Sequence, residues 1–216
     1  MTLRAAPAAL AWLLAAPAAG QIPYMPLFTT AGERVVSLNL GLAQPTGTSG
    51  LSSVAGRGPS LGVEYFKYLN DWFALGAAFD LHQLGSGADA GPPARSGSAS
   101  FKGLSFLGRV NFMRNLEWTP YAVGGGGLGQ GDVSVTCTGP GCGAVASHAK
   151  SALGACVTFG AGVERFLTQG FSLAAEARVT EFRLPLSSAS FPAPGGTGQA
   201  LAFRLGVRLW LGAPKG

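Results

Sequence analysis

Leu201-Ala202-Phe203-Arg204-Leu205-Gly206-Val207-Arg208-Leu209-Trp210-Leu211 decides the fold. Leu201, Phe203, Leu205, Val207, Leu209 and Leu211 share one parity; Ala202, Arg204, Gly206 and Arg208 share the other. A β-strand shows alternate residues to opposite faces, so this segment has a greasy face and a small or charged one. The same alternation recurs upstream. Val36, Leu38, Leu40 and Leu42 oppose Ser37, Asn39 and Gly41. Leu61, Val63 and Tyr65 oppose Gly62 and Glu64, and Phe73 to Leu81 oppose Ala74 to His82. Leu104, Phe106, Val110 and Phe112 oppose Ser105, Arg109 and Asn111. Val157 to Val163 oppose Thr158 to Glu164, and Leu173 to Val179 oppose Ala174, Glu176 and Arg178. With a glycine-rich segment opened by Tyr121 and Val123, eight strands are expected near 34–43, 59–68, 72–84, 101–112, 118–130, 150–166, 171–184 and 199–211.

Composition says what surrounds the greasy face. Charged residues are 12% of 216, against roughly 25% in soluble domains, and 34 are glycine. A hydrophobic content of 47% argues against low-complexity disorder. The formal charge of +5 comes from scattered basic residues without a run or stripe, so no nucleic-acid partner is expected. No stretch after the N-terminus reads as a membrane-spanning helix. Lipid cannot satisfy free backbone N–H and C=O groups, so a membrane chain without helices closes its strands into a barrel. The fold class is thus an all-β, eight-stranded, antiparallel up-and-down transmembrane β-barrel.

The N-terminus reads as an export signal. Arg4 is its positive end, Ala8 to Ala16 its apolar core, and Ala18-Ala19-Gly20 offers cleavage before Gln21 or, alternatively, after Ala18. The expected organisation is a signal peptide over 1–20, a periplasmic segment over 21–32, a barrel over 33–211 and a tail over 212–216. No cysteine follows the cleavage site to carry a lipid anchor.

Connections alternate in length. Asn70-Asp71, 114–117 and 168–170 are short, whereas 44–58, 85–100, 131–149 and 185–198 are long and rich in Gly, Ser and Pro. Outer-membrane barrels have short periplasmic turns and long outer loops. Tyr65, Tyr68, Trp72, Phe73, Phe112, Trp118, Tyr121, Phe166, Phe171 and Trp210 gather at the short-turn ends, as an interfacial girdle would. Phe79, Phe101 and Phe182 form a thinner set at the other end. By parity Glu64, Asp80, Arg109, Glu164, Glu176, Arg178, Arg204 and Arg208 face inward, four acids and four bases. A charge on the lipid face at mid-bilayer costs about 2–4 kcal/mol, and the exceptions Lys67, Lys102, Arg165 and Glu181 fall near strand ends.

Over 33–211 the chain resembles the small outer-membrane barrels of the outer-membrane protein A and X type. The likeness lies in Leu61-Gly62-Val63-Glu64-Tyr65, in Leu69-Asn70-Asp71-Trp72-Phe73-Ala74-Leu75-Gly76, in Pro120-Tyr121-Ala122-Val123-Gly124 and in Gly160-Ala161-Gly162-Val163-Glu164. Arg204 to Leu211 looks like the family's C-terminal assembly signal, which implies docking on the barrel-insertion machinery; the tail Gly212 to Gly216 departs from it. No periplasmic peptidoglycan-binding domain is expected after the barrel.

Few motifs carry chemistry. Cys137 and Cys142 bracket Thr-Gly-Pro-Gly and read as a disulfide in an exported chain; a metal site would lack neighbouring ligands. Cys156 is an inward small residue. Gly124 to Gly129 matches G-x-G-x-x-G only because it is a glycine run without a following helix. Ser147-His148-Ala149-Lys150 matches S-x-x-K without its partner motifs and is expected in a loop. Asp80 and His82 share a face near the outer end of strand three, where His82 is expected to be a solvated rim residue. His82 and His148 are the only histidines for a rim enzyme acting on lipid. Arg57, Arg95, Lys102, Lys150 and Arg183, against Asp89, Asp132 and Glu181, could meet lipopolysaccharide phosphates. The expectation is a monomeric barrel, not an enzyme, without catalytic, metal or cofactor residues. Its paired lumen is plugged and its loops and rim meet lipopolysaccharide or external surfaces. A narrow pore or small-ligand carrier is the alternative, and a rim-located lipid-modifying enzyme another.

Overall fold

A computed structural model describes residues 31–46, 55–89, 94–112, 118–138, 147–168, 170–183 and 197–212. Eight strands alternate in direction: β1 (Arg34–Thr46), β2 (Gly58–Tyr68), β3 (Phe73–Asp89), β4 (Ala94–Asn111), β5 (Trp118–Thr138), β6 (Ser147–Thr168), β7 (Phe171–Arg183) and β8 (Thr197–Leu211). Each pairs antiparallel with its sequence neighbours, and β1 pairs with β8, so the barrel is closed. Closure leaves no strand edge to lipid, as hydrocarbon demands. The β2–β3 turn is tight because Asn70 Oδ1 accepts from the backbone N–H of Trp72 (3.1 Å) and Phe73 (2.8 Å).

Parity sorts the faces as expected from the alternation. Leu40 is 58% exposed and Phe106 74%, while Glu164 and Arg208 are 0% exposed. Following outward-facing partners once round the wall gives Pro120, Val163, Ala175, Leu205, Leu40, Leu61, Leu81, Lys102 and then Gln130. The path returns to β5 ten residues higher (130 − 120 = 10), a drift of 1.25 residues per strand (10/8). Such a stagger forces strands to tilt at roughly 40°. Ten residues at ~3.3 Å then rise ~25 Å along the barrel axis, the height of an outer-membrane apolar band.

The strands differ from the expected ones at the outer end. Residues 85–100 and 131–149 are not long loops: β3 runs to Asp89, β4 starts at Ala94, β5 runs to Thr138 and β6 starts at Ser147. The cause is a reversal of polarity. Above the bilayer, Ala99, Val133 and Val135 are buried inside while Ser98 and Ser134 face water. Alternation persists there with its sign inverted, because water replaces lipid outside.

The aromatics also sort differently. Tyr68, Tyr121, Phe166 and Trp210 point into the barrel rather than join the girdle, and so do Phe101 and Phe182. Phe166, Trp210 and Phe182 share parity with Glu164, Arg208 and Arg178, which fixes them as inward residues. Tyr65, Trp72 and Phe112 remain exposed at the short-turn end.

Candidate functional site

All eight inward charges lie inside the wall and are buried. They form two linked groups. In the lower group, nearer the short turns, Glu164 on β6 is shared. Its Oε2 accepts from Arg109 Nη2 and from Arg208 Nη1 (2.7 Å); its Oε1 accepts from Ser172 Oγ and Trp210 Nε1 (3.2 Å). Arg109 also donates to Asn111 Oδ1 (2.9 Å), whose amide donates to the Tyr68 hydroxyl (3.1 Å).

In the upper group Arg204 donates to Asp80, to Glu64 (2.8 Å) and to Glu176 (2.6 Å). Arg178 approaches the same three acids, at 2.5 Å from Glu64, 2.7 Å from Glu176 and 3.3 Å from Asp80. Its approach to Glu64 and Glu176 is off the N–H direction, so these are charge contacts rather than aligned hydrogen bonds. The lower group holds two bases and one acid, the upper two bases and three acids, so each is charged and their union is neutral. Tyr121 joins them. Its hydroxyl accepts from Arg208 Nη2 (2.9 Å) and donates to Glu176 (3.0 Å), and its ring faces the guanidiniums of Arg109 and Arg208 at 4.0 and 4.5 Å.

Apolar side chains close on this core from both ends. Toward the short turns, Tyr68 stacks on Trp210 at 5.2 Å and Phe166 lies 5.1 Å from Trp210, within a cluster that includes Val35, Phe66, Leu107 and Val123. Toward the outer end, Phe101 stacks on Phe182 at 4.4 Å, among Leu84, Val133, Val135 and Cys156. Removing eight ions from water is expensive, and only several opposite partners per ion offset it. The low-dielectric ends strengthen that pairing.

The chemistry-bearing candidates resolve as follows. His82 is not a solvated rim residue: it is 1% exposed, bonded through Nδ1 to Ser60 Oγ (3.0 Å) and edge-on to Phe182. The continuation of β3 to Asp89 puts the rim above it. Cys156 is buried, with Sγ 3.4 Å from Ser105 Oγ. Ser147 to Lys150 lies in β6 rather than a loop, and the Gly124 to Gly129 run lies within β5. Among the described residues no His, Cys, Asp and Glu side chains gather as metal ligands.

Of the five rim cations, Arg57 donates to Gln44 Oε1 (3.0 Å), Arg183 pairs with Glu181 (3.3 Å), and Lys102 is exposed on β4 opposite Gln130. Arg57 beside β2, Lys102 on β4 and Arg183 on β7 lie on separate strands of the wall. The side chains of Arg95 and Lys150 lie outside the described residues. So do the Cys137 side chain and Cys142, and with them the expected disulfide. Sequence reasoning missed Tyr121, Ser172, Asn111 and Trp210 as members of the lumen network; parity with Glu176 on β7, Arg109 on β4 and Arg208 on β8 could have found Ser172, Asn111 and Trp210.

A closed eight-stranded wall, apolar outside and ionic within, defines a small transmembrane β-barrel. The family model for the outer membrane protein beta-barrel domain matches residues 6–208, and the chain belongs to that family. Its fold is similar to Neisserial surface protein A, at 15% identity over 82% of this chain and 98% of that one, with a TM-score of 0.56. It is similar also to OprG from Pseudomonas aeruginosa (10%, 87% and 99%, TM-score 0.52) and to Ail, the attachment invasion locus protein of Yersinia pestis (14%, 84% and 100%, TM-score 0.50). No curated protein matches the sequence. The chain is a barrel of the bacterial outer membrane.

Proposed function

We propose that this barrel is a closed-lumen structural and interaction protein whose work is done at the outer rim and loops, against lipopolysaccharide or external surfaces. The observation that carries the reading is the filled interior: an ionic core in which every acid meets two bases, held between two apolar clusters. Eight strands enclose only enough space for side chains, and here they use it. The protein then serves as a monomer inserted by the barrel-assembly machinery, without cofactor. Arg57, Arg95, Lys102, Lys150 and Arg183 supply positive charge where lipopolysaccharide phosphates lie.

Neutralising those five residues in the intact chain is the test. Lipopolysaccharide binding and barrier integrity should both fall; unchanged values would refute the rim reading. The burial of His82 opposes a lipid-modifying enzyme. Replacing His82 and His148 should leave lipid A composition unchanged, and an altered composition would reverse that judgement.

A further inference from the structure

The two water–lipid boundaries of this barrel are built from different side chains. Corrected for the drift of 1.25 residues per strand (10/8), the positions level with Gln130 on β5 are 45 on β1, 57 on β2, 83–84 on β3, 101 on β4, about 154 on β6, 182–183 on β7 and 199 on β8; on β6 and β7 the outward residues nearest that level are Leu153, Ala155, Glu181 and Arg183. Gln44, Arg57, Gln83, Lys102 and Gln199 are therefore within two residues of one level with Gln130, all on the outward parity. Four of the chain's six glutamines form this belt. Among the described residues no Trp, Tyr or Phe faces outward at that level. The periplasmic boundary ten residues below carries Tyr65, Phe73, Phe112 and Trp118, with Arg34 and Lys67.

Both boundaries carry cations, but only the periplasmic one carries aromatic rings, which suit a phospholipid interface. Carboxamides suit a different neighbour. They donate and accept at once, reach as far as Glu, and carry no charge to repel phosphate or bound cations. One row below the belt on β4 and β5, Leu104 and Leu128 are exposed to acyl chains. A lipid whose tails lie on those leucines must place its head-to-tail junction at Gln130. A second feature agrees. Directly above the belt, the outward face of the paired strands β4 and β5 carries Ser98, Ser100, Ser134 and Thr136 around the carboxylate of Asp132, to which Ser100 and Gln130 donate, a polar surface continuous with the lipid-facing wall. Gln130 Nε2 already donates to Ser151 Oγ (2.9 Å) and Asp132 Oδ1 (3.3 Å), so Gln130 offers its carbonyl oxygen, whereas no described residue bonds the amide nitrogens of Gln44 and Gln199, or either amide atom of Gln83.

We infer that Gln44, Gln83, Gln130 and Gln199 form an amide belt that hydrogen-bonds the saccharide hydroxyls and acyl-linkage carbonyls of a surrounding outer-leaflet saccharolipid. The inference rests on the rim reading above but assigns recognition to neutral sugar and linkage groups in addition to phosphate.

The test uses the refolded full chain in nanodiscs containing phosphatidylethanolamine and lipid A, with lipid A retained on the barrel read by native mass spectrometry. The wild type should retain lipid A over phosphatidylethanolamine. The variant Q44M/Q83M/Q130M/Q199M keeps side-chain length without donors or acceptors, and should lose at least about tenfold of that preference. Its heat-modifiable gel shift in pure phospholipid should be unchanged. If it fails to fold, Gln83→Met alone should still lower retention measurably, since that amide bonds nothing described. Loss on neutralising Arg57, Lys102 and Arg183 with full retention in the methionine variants would overturn the belt and leave the rim reading intact. No preference in the wild type would sink both.

Discussion

Replacing Glu164 by Gln removes one charge from the most heavily shared carboxylate in the barrel. Glu164 is fully buried and accepts from Arg109, Arg208, Ser172 and Trp210. The amide keeps the shape but leaves both arginines in the lower group without an acid, and turns an NH2 toward one of them. Removing one partner of a buried ion pair costs about 3–5 kcal/mol, because the remaining charge stays desolvated. The nearest remaining acid, Glu176, is 4.0 Å from Arg208 and already serves Arg178 and Arg204, so it offsets little. Refolding into detergent micelles and unfolding in urea is the assay. With a slope of about 2 kcal/mol per M, the midpoint should fall by roughly 2 M. A second variant, E164Q/R109M, restores the charge balance and should recover about 1–3 kcal/mol of that loss through the coupling of neighbouring sites. A midpoint shift below about 0.5 M for Glu164→Gln, or no recovery in the double variant, would show that the network is wet and does not hold the lumen together.

Other outcomes follow from the same geometry. Gly125→Val should abolish the folded, heat-modifiable band, since a Cβ there would sit 1.9 Å from the Phe106 carbonyl oxygen of β4; an unchanged band would mean that the strands part easily. Leu40→Arg, halfway between the two boundary levels, should cost about 2–4 kcal/mol in vesicle unfolding, while Gln44→Arg at the outer belt should cost about 0–1; equal costs would misplace the bilayer. Trp210→Phe should destabilise by about 1–3 kcal/mol through the lost indole donor to Ser172 (2.9 Å) and Glu164, read as a lower unfolding midpoint against a Trp118→Phe control.

The strands and their order were legible because lipid outside and charge inside impose period two without exception between Leu201 and Leu211. The short and long connections then gave direction. The inward charges were readable for the same reason. Their pairing was not, because register around a closed wall depends on the ten-residue stagger, which no single strand displays. The outer halves of β3 to β6 were hidden by their own composition. Val133-Ser134-Val135-Thr136 alternates plainly, but Gly and Ser around it resemble a loop and its polarity is reversed. Tyr121 was misplaced because β5 carries no inward charge between 118 and 130 to set parity. Trp210 and Phe166 had such references in Arg208 and Glu164 and were still grouped by height alone. The glutamine belt lies at scattered sequence positions and becomes a ring only after the tilt is known.

The closed lumen is tested most directly by conductance. Single-channel recording of the refolded full chain in planar bilayers should show no stable open level, because ions would have to cross the Tyr68–Trp210 and Phe101–Phe182 stacks and the paired charges between them. Large, long-lived steps in the wild-type protein would contradict the account and move its work from the rim to the pore.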